Sequence, residues 1–147
     1  MIQLHLRYSA ESEWHGKLVA EVESGEFRGS GSAWFTLEEL RKFLHLVSDY
    51  PIVEGQEPTL AGGFWDERGE TLEECHLGIR FSPDGSKGSV RATVNLVAPP
   101  SHDETLPGHK LTTNFRVNHG DVQRFVTEFA LLLDGKSAQA ELKSTRS

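Results

Sequence analysis

The sequence predicts an α+β fold: a mostly antiparallel sheet of about six to eight strands with two amphipathic helices packed on one face. Three observations predict it. Most apolar segments alternate with polar residues at period two, as half-buried strands do. None is the solid apolar run expected of a parallel strand buried on both faces. Two other stretches, after Thr36 and near Asp121, place apolar residues at helical spacing behind a capping signal.

Taken along the chain, residues 2–8 alternate Ile2, Leu4, Leu6 and Tyr8 against Gln3, His5 and Arg7. A polar turn, SAESE, separates them from a strand over 14–24, in which Trp14, Leu18, Ala20 and Val22 share the core parity. Ser24-Gly25 predicts a hairpin turn. Phe27, Gly29, Gly31, Ala33 and Phe35 fall on one side of the next strand. The missing side chains imply either a bend in the sheet or the close approach of another element. Thr36 and Glu39 form a capping box, followed by Leu37, Leu40, Phe43, Leu44 and Val47. Asp49-Tyr50-Pro51 ends this helix, because the residue before proline is pushed out of the α region.

Residues 59–65, TLAGGFW, predict a short strand with a glycine kink, and 66–74 a mostly acidic loop. Cys75, Leu77, Ile79 and Phe81 alternate with His76, Gly78 and Arg80, and Pro83-Asp84-Gly85 predicts a turn. A returning strand over 88–98 turns Val90, Ala92, Val94 and Leu96 inward. The stretch 99–109, PPSHDETLPGH, reads as a proline-rich loop, and 110–117 as a strand. Asp121 predicts the cap of the second helix, Val122, Phe125, Val126, Phe129, Leu132 and Leu133 its apolar stripe, and Gly135 its stop. A last edge strand is expected over 138–142. The expected organisation is one domain over 1–142 and a disordered tail over 143–147. Eight Phe and three Trp are expected to supply much of the buried area.

Function is bounded mainly by exclusion. The net charge of −7 argues against nucleic-acid binding, which needs clustered Lys and Arg, and favours a basic partner by electrostatic steering. A single cysteine, Cys75, permits neither an internal disulfide nor a multi-cysteine metal site. Its parity with Leu77 and Ile79 predicts a buried small hydrophobe. The seven histidines show no metal-ligand spacing. No nucleophile elbow is present, and His102-Asp103 lies in the proline-rich loop. No apolar run approaches the roughly 20 residues that cross a bilayer, and MIQLHLRYSA lacks the apolar core of a signal peptide. These features point to a non-enzymatic cytoplasmic protein with no cofactor, no metal and no membrane contact.

The expected partner-binding residues are Phe64, Trp65, Asp66, Glu67, Glu70, Glu73 and Glu74. Two aromatics beside a glycine pair and an acidic stretch have the makeup of an interface anchor with a polar rim. The competing reading places Phe64 and Trp65 on the two faces of the sheet, one in the core and one packed against the Pro99-Pro100 loop, with the acids merely solvated. Two further readings stand beside these. One is a ligand pocket over the glycines at 29 and 31, with Trp34 and Trp65. The second is self-association through an edge strand into a homodimer.

The order of features resembles the WapI-type bacterial immunity proteins and similar small bacterial domains. The matching residues are Trp14, Leu18, Val19, Glu21, Val22, Gly25, Phe27, Gly29, Phe35, Thr36, Glu39, Leu40 and Phe43. The strand with Leu77, Gly78 and Ile79, and the last helix, fit the same layout. The segments GGFWDE and PPSHDETLPGH depart from it. The resemblance implies a protein that neutralises a toxin, such as a basic toxin domain, by direct binding, with no catalytic residues.

Overall fold

The computed structural model of the chain describes residues 1–49, 51–85, 89–98 and 108–144, with the backbone alone for Phe64. Its elements are β1 (Ile2–Ala10), β2 (His15–Ser24), β3 (Phe27–Thr36), α1 (Leu37–Ser48), β4 (Thr59–Trp65), β5 (Leu72–Asp84), β6 (Ser89–Ala98), β7 (His109–Val117), α2 (His119–Leu133) and β8 (Ala140–Lys143). The α+β class holds, with eight strands and two helices among the described residues. The strands form two four-stranded antiparallel sheets, ordered β3-β2-β1-β8 and β4-β5-β6-β7, where the sequence suggests one. Alternation reports that each strand has a buried face. It does not say which strands share hydrogen bonds.

Register aligns the inner face of the first sheet. Leu4 pairs with Val22 and Leu142, Leu6 with Ala20 and Ala140, and Leu18 with Ala33. Gly25, at φ +61, opens the turn between Ser24 and Phe27. This left-handed conformation is one that only glycine adopts cheaply. In the second sheet, Leu77 pairs with Leu96 and Leu96 with Leu111, while Phe81 pairs with Ala92 and Ala92 with Phe115.

The glycines of β3 mark where the sheets meet. A Cβ on Gly29 would lie 2.8 Å from Leu111 of β7, and one on Gly31 2.7 Å from the His76 carbonyl of β5 and 3.2 Å from Leu96 of β6. A Cβ on Gly62 of β4 would meet the Phe35 ring at 2.6 Å and Ala33 at 3.0 Å. Thus successive residues of β3 face β7, then β6 and β5, then β4, so the strand runs across the second sheet rather than along one of its strands. Of the two explanations for the glycines, close approach is the one realised.

Both helices contribute aromatic side chains to the core. Phe43 of α1 stacks on Phe81 at 6.2 Å between ring centroids, Phe81 meets Phe125 of α2 at 6.0 Å, and Phe125 meets Phe129 at 5.6 Å. One hydrophobic core joins both sheets and both helices. The Thr36–Glu39 capping box forms as expected, and Asp49 ends α1, while Tyr50 lies outside the described residues. For α2 the cap is Asn118, not Asp121. Asn118 Oδ1 accepts from the Asp121 amide at 2.7 Å, and Asp121 Oδ2 accepts from the Asn118 amide at 3.0 Å. Asp121 therefore fills the acidic third position of a capping box whose cap is an amide.

Other boundaries shift for local reasons. Pro83 and Asp84 remain in β5, paired with Val90 and Ser89, and only Gly85, at φ +78, begins the turn. Lys143 pairs with Gln3, and the Ser144 amide donates to the Ile2 carbonyl at 2.9 Å, so the last strand runs one residue beyond the predicted 142. The predicted loop residues 99–107, including His102 and Asp103, and tail residues 145–147 lie outside the described residues. No helix among the described residues is long and apolar enough to cross a membrane.

Candidate functional site

The predicted binding residues gather on one hairpin. Trp65 ends β4, and β5 starts at Leu72, so Glu73 and Glu74 belong to a strand rather than to a loop. The pairing slips twice. Gly62 pairs with Leu77 but Gly63 with Cys75, and Phe64 pairs with Glu74 but Trp65 with Leu72. The extra residues are His76 and Glu73, each a bulge that redirects the side chains beyond it. The backbone at Gly63 is so close to the Glu74 carbonyl that no Cβ fits there.

Asp66 builds the tip. Its amide donates to the Thr71 carbonyl at 2.9 Å, its carbonyl accepts from Gly69 at 3.0 Å, and its carboxylate accepts from the Glu70 amide at 2.9 Å. Gly69, at φ +70, completes the reversal. The Glu70 amide, helped by donors at Thr71 and Arg68, holds the Asp66 carboxyl below the ordinary carboxylate range. Asp66 is thus a turn-forming acid. Glu67, Glu70, Glu73 and Glu74 project from the hairpin as exposed side chains. Glu67, Glu70 and Glu73 make no ion pair among the described residues. Glu74 Oε1 lies 3.5 Å from His76 Nε2, an ion pair when the ring is protonated. Trp65 is 41% exposed at the base of the tip. The Phe64 side chain lies outside the described residues, so its placement on one face or the other of the sheet does too.

The bulge at His76 also corrects the reading of Cys75. A Cβ on Gly78 would lie 3.2 Å from Cys75 Sγ and 3.7 Å from Asn95 Cβ. Cys75 therefore shares the outer face with Gly78 and Asn95, opposite Leu77 and Ile79, and is half-buried rather than a core residue. Partial burial pushes its thiol pKa up. Among the described residues, no group of three or more His, Cys, Asp or Glu is placed to hold a metal ion.

Two further tryptophans are exposed on the first sheet and its margin. Trp14 is 76% exposed and Trp34 52%, so none of the three tryptophans lies in the core. The core parity of Leu18 does not reach Trp14, because β2 begins only at His15 and alternation does not extend into the irregular segment before it. There the Trp14 amide donates to Ser12 Oγ at 3.1 Å, and the Trp14 carbonyl accepts from the Leu37 amide at 2.8 Å. His15 and Trp34 rings lie 6.1 Å apart on the outer side of the first sheet. For Trp34 the signal is its parity, opposite to Ala33 and Phe35.

A ligand pocket over the β3 glycines meets filled space at Gly31, where the His76 carbonyl and Leu96 stand against it. No protein-family model, no curated protein and no solved structure matches this chain.

Proposed function

We propose that the chain is a non-catalytic protein-binding domain that captures a basic partner through the β4–β5 hairpin. The observation that carries this reading is Trp65, an exposed aromatic at the base of a tip that projects Glu67, Glu70, Glu73 and Glu74. A large rigid ring supplies contact area at low entropic cost, and a surrounding acidic rim steers a basic partner and sets its orientation. The chain's net charge of −7 adds a long-range attraction for the same kind of partner. In its most specific form the proposal is an immunity protein, resident in the bacterial cytoplasm, that neutralises a toxin by occupying its basic surface. That form rests on the sequence resemblance to WapI-type proteins.

Co-expression of the chain with the products of neighbouring genes, followed by affinity capture at low salt, tests the proposal. A retained basic protein, released by raised salt and lost when Glu67, Glu70 and Glu73 are all changed to Lys, is the expected result. Failure to retain any of these products at low salt and high concentration contradicts it.

A further inference from the structure

Each sheet leaves two edge strands, and a long flat edge invites pairing unless it is blunted. Three of the four edges are blunted. The strand β8 has only four residues, β4 carries two register shifts, and β7 places Lys110 and Arg116 along its length. By contrast, β3 pairs with β2 over ten residues without a slip and contains neither Pro nor Lys. Its one charged residue, Arg28, leans toward β2, with Nε 3.2 Å from Glu21 and Nη2 on Glu23. Among the described residues no backbone hydrogen bond reaches the other edge of β3.

A groove of about 300 Å³ runs beside that free edge. Phe27 to Ser30 form one wall, and Leu96, Ala98 and Leu111 contribute apolar surface from the second sheet. The strand on the paired edge of β3 contributes nothing to it. Phe27, 74% exposed, stands at its end. Among the described residues, the charged or titratable side chains lining the groove are Arg28, whose guanidinium is already held by Glu21 and Glu23, His109 and Lys110, with no acid in the lining. Lys110 makes no ion pair among the described residues.

An unpaired row of amides and carbonyls next to an apolar trough is the complement of an extended strand. The backbone supplies affinity and every second side chain supplies specificity. We propose that the free edge of β3 and this groove receive an extended segment of another protein, with apolar residues at alternate positions and an acidic residue opposite Lys110. The added segment becomes the fifth strand of the first sheet. This surface shares no residue with the acidic hairpin, so either can fail without the other.

The test selects binders from a phage-displayed library of random peptides and titrates the best, as a synthetic peptide, into the isotope-labelled chain. The expected result is slowed hydrogen exchange at alternate amides of Phe27–Ala33, since only every second amide of an edge strand points outward. Affinity should fall about fivefold in Lys110→Glu and in Phe27→Ser. Both side chains are exposed, so the fold is retained. The proposal is overturned if no peptide is enriched, or if the protection falls elsewhere, for instance at residues 66–74. It is also overturned if sedimentation shows the chain pairing with itself through this edge, which assigns the edge to a second copy.

Discussion

A single hydrogen at Gly31 separates the backbone of β3 from the His76 carbonyl, and that carbonyl, being main chain, cannot turn aside. A Cβ there would stand 2.7 Å from it. Gly31→Ala is therefore expected to cost about 1–3 kcal/mol by overpacking. Gly29→Ala meets the Leu111 side chain, whose Cδ1 can rotate away, and should cost less. Urea unfolding of the two variants measures the difference, and equal costs would remove the close approach as the reason for the glycines. Asp84 provides a pH-dependent contribution. A hydrogen bond from Arg116, then the Arg116 charge and Arg91, whose Nη2 lies 3.1 Å away, hold its carboxyl below the ordinary range. Hydrogen bonds from the Gly55 and Glu57 amides, with Arg80, do the same for Glu57. A carboxyl whose folded pKa is lowered stabilises the fold above its unfolded pKa, and that stability is lost as pH falls through the folded one. Stability should therefore fall below about pH 4, and the slope should flatten in Asp84→Asn. An unchanged slope in that variant would mean the two arginines do no electrostatic work there.

At the scale of elements, the alternating runs and the capping boxes are legible because each is written in consecutive residues. Thr36 and Glu39 form the expected box, and Thr36→Ala should cost about 1 kcal/mol, as should Asn118→Ala. No loss of stability in Asn118→Ala would return the cap of α2 to Asp121. The bulges at Glu73 and His76 are not legible. A strand read alone shows period two, and an extra residue becomes visible only against the partner strand. The slip at His76 moves Cys75 to the outer face, while pairing with Phe64 and Trp65 carries β5 through two of the expected loop acids. The misplacement of Trp14 has the same origin, since a parity holds only as far as the pairing does.

For the whole molecule, alternation and capping predict the class but not the division into two sheets. Crossing of β3 over the second sheet depends on contacts between residues far apart in sequence, such as Gly29 with Leu111. The candidate hairpin is legible as a cluster of aromatic and acidic residues, but the groove beside β3 is not, because its two walls come from distant parts of the chain. Exposure of all three tryptophans gives the folded chain an unusual optical signature. Its emission should lie near the water-exposed limit and be quenched readily by acrylamide, and shielded, short-wavelength emission would contradict the placement of Trp14 and Trp34. Capture of a basic partner at the Trp65 hairpin is tested most directly by the affinity of the co-captured neighbouring gene product for wild type and Trp65→Ala at low and high salt. The expected result is a loss on the order of 30-fold in the variant, as for a buried aromatic anchor, and weaker binding at high salt for both. Equal affinity of variant and wild type, unaffected by salt, would contradict capture at this hairpin.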